Sequence, residues 1–359
     1  ISGYTQQGQR KEALDLFESM KSEGYSPDAV TFTCILKSCG SLGAIDKGKH
    51  IHDEIIHRDF LENDVVLATA LVDMYGKCGD IAQVRELFNE LPFRDTVLWN
   101  VLIATYEQHG YDKEAIVSFE QMRNEGFSPN AVTYACILKA CGSIREIDKG
   151  QELHFEIDRD GFLGDNILVG NALVHMYAKC GLLVKAQEVF NGLKVRSTMV
   201  WNQLLTGYSQ FGEDEMVLDL FNKMIRERVN PDDVTFMIVL NICSHSGLLD
   251  KGQMYSEMMN IVYGITPRMQ HYTCMVNLFS RVGHFDKVIN FIKEMTIPAD
   301  LAVWHTVLDA CRKWRNLKLG KWAFENAIQL DQTDSAAYVS MRNIYGADGH
   351  ARECPHMKN

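Results

Sequence analysis

The sequence contains no uninterrupted apolar run that approaches the ~18 residues a helix needs to cross a bilayer, so we expect no membrane partner. It also contains no C-x-x-C pair among its ten cysteines, which argues against a disulfide framework or a metal site. We interpret the cysteines as small buried residues in a reducing compartment. They mark positions that recur 102 residues apart, namely Cys34 and Cys136, Cys39, Cys141 and Cys243, and Cys78 and Cys180.

Positive charge is not in excess. The chain has 36 lysines and arginines against 47 aspartates and glutamates, which leaves a net charge of −11. Because phosphate contacts favour basic surfaces, this balance argues mildly against a nucleic-acid partner. A negative net charge does not exclude a locally basic groove.

No complete catalytic or metal-binding motif is present in the sequence. Two H-x-E triplets, which begin at His52 and His154, resemble the opening of the zinc deaminase signature. That signature also requires a later P-C-x-x-C, whereas the late cysteine, Cys354, is followed by Pro355. Because the triplets lie 102 residues apart, a repeated position on a helix surface explains them. We therefore predict that the chain is not an enzyme and holds no metal or cofactor.

A repeat of 102 residues organises the chain. Pro27, Pro129 and Pro231 share this spacing, as do Trp99 and Trp201. Each period divides into segments of 36, 31 and 35 residues, so the repeating unit is a triplet of shorter repeats. The predicted organisation is a partial 35-residue unit at 1–28, two complete triplets at 29–232, a 36- and a 32-residue unit at 233–300, and a divergent pair at 301–359 whose second member is incomplete.

Each short unit has the pattern of two amphipathic helices, as the segment 96–130 shows. Leu102, Ile103 and Tyr106 fall at helical spacing, and a second helical set runs from Ala115 to Met122. A pair of helices of about 12 residues cannot bury its apolar faces alone, so each unit needs a copy on either side. The sequence therefore predicts an all-α fold, a right-handed solenoid superhelix of stacked helix-turn-helix repeats whose first helices form the inner wall.

The unit lengths and several segments resemble the pentatricopeptide repeat proteins of the PLS subclass over the whole chain. The matching segments are NVLIATYEQHG, ALVDMYGKCGD, ALVHMYAKCGL, VTFMIVLNICSHSGLLDKG and YGITPRMQHYTCMVNLFSRVG. The resemblance makes 1–28 a partial P unit, 29–232 two L-S-P triplets and 233–300 the terminal L and S units. The segments AVWHTVLDACRKWRNLKLG and SAAYVSMRNIYGADG resemble paired E motifs, which assigns E-like repeats to 301–359. An ordinary tetratricopeptide array is the structural alternative, and the W-N and Pro-Asp boundaries disfavour it.

The resemblance implies single-stranded RNA binding with one base per unit, read by the fifth and the last residue of that unit. The units at Ala135/Asn166 and Met237/Arg268 depart from the family's pattern and are expected to read no base. By the family's code, the predicted RNA is, from 5′ to 3′, G, G, C or U, unread, C, U, unread, G. The alternative is that the Asn and Asp side chains are helix N-caps, although one residue can serve both purposes. The implied base-reading pairs are Thr33/Asp64, Thr69/Asp95, Asn100/Asn130, Asn171/Ser197, Asn202/Asp232 and Thr273/Asp300.

The second residue of each unit resembles the apolar side chain that sandwiches each base in the family, and Gln270 departs from this pattern. The alternative is a residue packed between helices. Lys77 and Lys179, in Y-x-K-C-G, and Arg281, in FSRVG, occupy equivalent positions, from which we predict that they reach phosphates. Their alternative is a solvated surface charge. The implied sandwiching residues are Val30, Val66, Val97, Val132, Leu168, Met199 and Val234.

The resemblance implies a plant organellar RNA editing factor, which selects a C-to-U editing site in mitochondrial or chloroplast transcripts and positions a deaminase. The expected partners are single-stranded organellar RNA, a cytidine deaminase of the DYW type and the multiple organellar RNA editing factors, which bind L-type units. The deaminase is expected beyond Asn359 or on another chain. The rival function is a helical-repeat scaffold for protein interaction without RNA specificity, which the net charge of −11 favours.

Overall fold

The computed structural model describes residues 1–58, 60–61, 64–162 and 166–347. Every regular element in these ranges is helical, and none is a strand. The predicted all-α fold class is therefore confirmed. No helix in these ranges combines the length and the apolar composition that a membrane span requires.

The chain divides into two compact units, Ile1–Val195 and Arg196–Asn359. In the first unit the odd-numbered helices from α3 to α11 stack in sequence, and each even-numbered helix from α2 to α12 packs beside an odd-numbered one. The unit is therefore a stack of helix pairs, as predicted. Its helices are α1 (Ser2–Gln6), α2 (Arg10–Ser22), α3 (Ala29–Leu42), α4 (Ile45–His57), α5 (Val65–Cys78), α6 (Ile81–Glu90), α7 (Thr96–Gln108), α8 (Asp112–Asn124), α9 (Ala131–Ile144), α10 (Ile147–Arg159), α11 (Ile167–Lys179) and α12 (Leu183–Gly192).

The second unit repeats this arrangement, with its odd-numbered helices stacked from α13 to α21. A π-helical turn, Met258–Val262, continues α16 and lengthens that second helix. The remainder of the segment SAAYVSMRNIYGADG after α21 lies outside the described residues. The helices of this unit are α13 (Thr198–Gln210), α14 (Asp214–Arg226), α15 (Asp233–Ser246), α16 (Leu249–Glu257), α17 (Met269–Val282), α18 (Phe285–Glu294), α19 (Leu301–Trp314), α20 (Leu317–Leu330) and α21 (Ser335–Ala347).

Each predicted repeat from residue 29 to residue 301 begins where an odd-numbered helix begins. The residue before most of these helices is Asp or Asn, and its side-chain oxygen accepts a hydrogen bond from a backbone N–H group that the first turn leaves unpaired. The interpretation of these residues as N-caps is therefore confirmed for Asp28, Asp64, Asp95, Asn130, Asn166, Asp232 and Asp300.

The first helices of the 36-residue units end in a left-handed residue. Gly43 and Gly247 have this role after α3 and α15, each with φ 66°. The equivalent residue after α9 is Arg145, with φ 59°. A side chain with a Cβ is strained in this region, so Arg145 holds a conformation that glycine adopts without cost.

Glycines allow the first helices of the stack to approach closely. A Cβ added at Gly40 on α3 would lie 3.1 Å from Met74 Cα on α5, and one at Gly142 on α9 would lie 3.1 Å from Met176 Cα on α11. These backbone atoms cannot yield as a flexible side chain would. The two contacts are 102 residues apart, so the repeat conserves its packing as well as its helix lengths.

The cysteines follow the predicted repeat pattern. Cys39, Cys141 and Cys243 are fully buried, and burial raises the pKa of their thiols to about 11, about 12 and about 11. Cys34 and Cys78 are half-buried. The cysteines in the described part of the chain are all free thiols, and no cluster of three or more metal-ligating side chains occurs there.

Candidate nucleic-acid interface

Within each compact unit, the stack of first helices places the two residues predicted to read a base on neighbouring helices. The fifth residue of a unit is the fifth residue of an odd-numbered helix, and the last residue of that unit is the N-cap of the next odd-numbered helix. Because these helices pack side by side, the two side chains can meet across the helix boundary. In two pairs they hydrogen-bond directly, Asn100 with Asn130 and Asn202 with Asp232.

Asn202, Asp232 and Thr235 form a closed hydrogen-bonded group in the second unit of the fold. Asn202 Nδ2 donates to Asp232 Oδ1 at 2.9 Å, and the Thr235 hydroxyl lies 2.6 Å from Asn202 Oδ1. The Asp232 carboxylate also accepts from the Thr235 backbone N–H at 2.8 Å. Burial by itself raises the pKa of Asp232, but the hydrogen bonds from Thr235 and Asn202 outweigh it and hold the pKa below its usual value. The carboxylate is therefore ionised and acts only as an acceptor at neutral pH.

Asn100, Asn130 and Thr133 form the same group in the first unit of the fold. Asn100 Nδ2 donates to Asn130 Oδ1 at 3.3 Å, and the Thr133 hydroxyl donates to Asn100 Oδ1 at 2.5 Å. The backbone N–H groups of Val132 and Thr133 donate to Asn130 Oδ1, as expected for an N-cap. The group lies 102 residues before its counterpart, which shows that the repeat preserves it.

The threonines at the fifth position bond to their own helices. Each hydroxyl donates to the backbone carbonyl four residues earlier, at 2.7–2.9 Å. Their partner aspartates accept from the first turn of the following helix, at 2.7–3.0 Å. These pairs therefore present mainly acceptor lone pairs to a ligand. The bonds are Thr33 to Ala29, Thr69 to Val65 and Thr273 to Met269.

The remaining fifth-position residues differ from these two arrangements. Asn171 is buried on α11, whereas Ser197 precedes α13 without capping it through its side chain, and the two lie in different units of the fold. Ala135 is buried and carries no polar side-chain atom. Arg268, in the other departing pair, forms an ion pair with Asp233 at 2.7 Å.

The side chains at the second position of each unit are exposed to solvent. Their exposed fractions run from 40% at Val234 to 68% at Val66. The alternative interpretation, that these residues pack between helices, is therefore wrong. Each lies three residues before the fifth position, on the same face of its helix. The exposed set is Val30, Val66, Val97, Val132, Leu168, Met199 and Val234.

The cations proposed for phosphate contact have different neighbours. Lys77 Nζ lies 2.6 Å from Asp73 Oδ2, one helical turn earlier. In the next triplet, the residue equivalent to Asp73 is His175, one turn before Lys179. Burial, together with the charges of Lys179 and Lys139, lowers the pKa of His175 to about 4, so His175 is neutral at pH 7.

Arg281, the third proposed cation, contacts a ring nitrogen. Its guanidinium Nη1 lies 3.1 Å from His245 Nδ1, where only the guanidinium can donate. Both residues stand on first helices of the stack, α17 and α15. Lys77, Lys179 and Arg281 thus differ in their surroundings although their positions are equivalent in the repeat.

The histidines of the two H-x-E triplets have a packing role. His52 Nδ1 hydrogen-bonds to the Tyr75 hydroxyl at 3.0 Å, and His154 Nδ1 to the Tyr177 hydroxyl at 2.8 Å. Burial lowers the pKa of both histidines. The repeated His-Tyr contact agrees with the interpretation of these triplets as a repeated helix position. Cys354 lies outside the described residues.

Sequence reasoning missed Thr133 and Thr235, which complete the two hydrogen-bonded groups. Each is the third residue of its helix and forms a reciprocal capping box with the preceding Asn130 or Asp232. The signal that could have identified them is a threonine at the third position of a unit that follows a unit with Asn at its fifth position.

Comparison with known proteins agrees with this architecture. The PPR repeat family model matches residues 1–41, 94–143 and 196–245, and the PPR repeat model matches residues 30–60, 66–95, 171–197 and 270–296. The pentatricopeptide repeat-containing protein At2g33680 of Arabidopsis thaliana is 36% identical over 98% of this chain and 48% of its own length. Another from Arabidopsis thaliana, At2g03380, whose name includes the word mitochondrial, is 32% identical over 100% of this chain and 52% of its own length.

The chain thus spans about half the length of these relatives, with 48% and 52% of each covered. Among solved structures, the crystal structure of the maize pentatricopeptide repeat protein PPR10 aligns with a TM-score of 0.53 and 21% identity. The alignment covers 98% of this chain and 56% of the maize chain. At this identity the likeness concerns the fold alone.

Proposed function

The chain belongs to the pentatricopeptide repeat family, and from that premise we propose that it is a sequence-specific single-stranded RNA-binding protein. The observation that carries the proposal is an exposed apolar side chain and a polar reading residue three positions apart on one helix face, repeated from unit to unit. An exposed valine leaves apolar surface in contact with water in the isolated fold. The face of a base would remove that apolar surface from water, at about 25 cal/mol per Å².

The threonine units fit guanine by their hydrogen-bonding inventory. In each, the hydroxyl proton is committed to a helix carbonyl, and the partner aspartate accepts only. Guanine presents two adjacent donors, N1–H and the N2 amino group, on its Watson–Crick edge. The pairs Thr33/Asp64, Thr69/Asp95 and Thr273/Asp300 are therefore proposed to read G.

The asparagine units offer a donor as well as an acceptor. One N–H of Asn202 Nδ2 bonds to Asp232, which leaves the second N–H and a lone pair of Oδ1 for a base. Uracil matches this pattern with its N3–H and a neighbouring carbonyl, and the ionised Asp232 favours a base edge that carries a donor. Asn130 also has an amino group, which suits the acceptors of cytosine, so Asn100/Asn130 is proposed to read C or U. Asn171/Ser197 is proposed to read C by the family's code.

We propose further that the bound RNA is an organellar transcript and that binding selects a cytidine for conversion to uridine. The PLS-type order of unit lengths and the E-like helices α19 to α21 support this assignment. The chain would act in a mitochondrion or a chloroplast and would position a DYW-type cytidine deaminase, with the multiple organellar RNA editing factors bound to its L-type units. The edited C is expected a few nucleotides 3′ of the base read by Thr273 and Asp300.

The proposal is tested by selection from a pool of random RNA. The purified chain is incubated with the pool, and the bound molecules are sequenced. The expected enrichment is G, G, C or U, any base, C, U, any base, G in the 5′ to 3′ direction. An oligomer with the reversed order of the same bases is the matched control and should bind more weakly. Equal binding of both orders would contradict base reading by these residues.

A second experiment tests the link to editing. We expect the isolated chain, supplied with zinc, to leave cytidine unchanged in an RNA that carries the selected motif, and an added DYW-type deaminase to convert a C just 3′ of that motif. Conversion by the isolated chain that is lost in His154→Ala would refute the binding-only assignment.

The net charge of −11 favours the second candidate function, a scaffold for protein interaction. A scaffold would bind an extended peptide along the same exposed apolar side chains. If the chain is a scaffold, the selected RNA and an unrelated RNA of equal length should displace that peptide equally well. Sequence-dependent competition excludes the scaffold as the primary function.

A further inference from the structure

The orientation of a side-chain amide decides what asparagine can offer a base, because rotation by 180° exchanges its donor and acceptor. Asn202 is 9% exposed, so its polar atoms depend on partners within the protein. Its Nδ2 faces the ionised Asp232, which can only accept. The reversed amide would place Oδ1 against the carboxylate, where no proton joins the two oxygens.

The capping role of the preceding residue fixes the same orientation in the other group. Asn130 Oδ1 accepts from the backbone N–H groups of Val132 and Thr133, so this oxygen must face the start of α9. The same oxygen meets Asn100 Nδ2, which therefore must donate. In both groups the cap determines which end of the asparagine amide lies beside it.

The other end of each amide, Oδ1, then requires a donor, and a threonine hydroxyl provides it. Thr235 and Thr133 are fully buried, and their hydroxyls lie 2.6 Å and 2.5 Å from Asn202 Oδ1 and Asn100 Oδ1. Each hydroxyl also accepts from the N–H of the cap residue. Where the fifth residue is threonine, the equivalent third residue of the next helix is apolar: Leu67, Leu98 and Val303 follow Thr33, Thr69 and Thr273.

We propose that Thr235 and Thr133 are specificity-determining positioning residues, which hold the amides of Asn202 and Asn100 in the single orientation that reads a pyrimidine. This inference rests on the proposed function. It assigns to the third residue of one unit a share in the base preference of the preceding unit. Three side chains then read the base in each of these units: the fifth residue, the last residue, and the third residue of the next unit.

The test is Thr235→Val in the full chain, measured as dissociation constants for four RNA oligomers that differ only at the base read by Asn202. Loss of one hydrogen bond to the amide should reduce the preference for U over the best competing base about fivefold to tenfold. Thr235→Ser keeps the hydroxyl and should retain the preference. Equal weakening of all four RNAs by Thr235→Val, with their order unchanged, would overturn the proposal.

Thr31→Val is the control for loss of a threonine hydroxyl that bonds to an N-cap side chain without an asparagine partner in the described residues. Thr31 occupies the same position in α3, and its amide and hydroxyl bond to Asp28 at 2.8 Å and 2.6 Å. This variant should lose thermal stability to a similar degree and leave the preference at the Asn202 base unchanged. If Thr31→Val reduced that preference as much as Thr235→Val, a general loss of helix order would explain both, and the proposal would be wrong.

An RNA-free measurement separates this inference from the proposed function. In protein labelled with 15N-asparagine, the Asn202 Nδ2 proton that bonds to Asp232 should exchange slowly with water, and Thr235→Val should accelerate that exchange several-fold. Unchanged exchange would overturn the positioning role. If Thr235→Val accelerates exchange but the wild-type chain shows no base preference, the positioning role stands and the proposed RNA function is wrong.

Discussion

The substitution Asn202→Thr should convert a unit that is proposed to read U into one that reads G. A threonine at this position of α13 can donate to the carbonyl of Thr198, four residues earlier, as Thr33, Thr69 and Thr273 do in their helices. Asp232 remains as the N-cap of α15. The pair then becomes acceptor-only, which is the pattern of the proposed G-reading units.

The expected magnitudes follow from the hydrogen bonds that change. The variant loses the 2.9 Å bond to Asp232 and the 2.6 Å bond from Thr235. The Thr235 hydroxyl stays satisfied because it already lies 2.8 Å from Asp232 Oδ1. We therefore expect a stability loss of about 1 kcal/mol, of the order of one net hydrogen bond. The change in base preference should be about 1–3 kcal/mol, as for other hydrogen-bonded base contacts.

The assay compares dissociation constants for four oligomers that differ at one base, at a single salt concentration. The preferred base should change from U to G while the other positions keep their preferences. Asn222→Thr, at an exposed site on α14, is the matched control and should change nothing. If Asn202→Thr weakened every oligomer equally, the residue would be structural and the reading of bases by this pair would be refuted.

Three further predictions concern charge, pH and backbone strain. Asp73→Asn removes the 2.6 Å ion pair of Lys77, which is worth about 0.3–0.5 kcal/mol at an exposed site. Affinity should therefore rise about twofold for every RNA sequence. Unchanged dissociation constants would show that Lys77 does not face phosphate. His175 has a folded-state pKa of about 4, below its unfolded value, so its contribution to stability is fully present above about pH 6.5 and is lost as the pH falls toward 4. Chemical denaturation should therefore show that the free energy of unfolding falls between pH 7.5 and pH 5, and that this fall is smaller in His175→Asn than in the wild type by about 1–2 kcal/mol. An equal fall in the two proteins would contradict this cause. Arg145→Gly removes the strain of a left-handed residue at φ 59° and should stabilise the folded protein by about 1 kcal/mol. Its Tm should be higher than that of the wild type and of Arg145→Ala. An unchanged Tm would mean that the conformation carries no strain.

Sequence periodicity was sufficient to predict where the repeats begin, because one local interaction defines those points. The N-caps at Asp28, Asp64 and Asp95 come directly before α3, α5 and α7, and a capping side chain bonds to a backbone group only three residues away. Helix spacing likewise predicted the buried face, on which Leu102 and Ile103 lie. Such short-range determinants are visible in the sequence itself.

The features that were missed depend on contacts between units. The hydroxyl of Thr235 bonds to an amide 33 positions earlier in the chain, so no local pattern signals that contact. The ion pair of Lys77 depends on Asp73, which the next triplet replaces with His175. The equivalent positions of the three cations therefore do not predict equivalent neighbours. The π-helical turn Met258–Val262 was not predicted either, since its apolar residues fit an α-helix equally well.

The capping requirement limits how these units can vary the base preference proposed for them. The last residue of most units presents a side-chain acceptor to the helix that follows, and Asp and Asn are favoured at that position for this reason. An acceptor at that point obliges a neighbouring asparagine to turn its N–H group toward it, as Asn100 and Asn202 both do. The fold therefore sets one half of the hydrogen-bonding pattern without any bound ligand. The other half of the pattern depends on the fifth residue. This residue is either a threonine that bonds to its own helix or, as in Asn100 and Asn202, an asparagine that accepts from the threonine of the next helix.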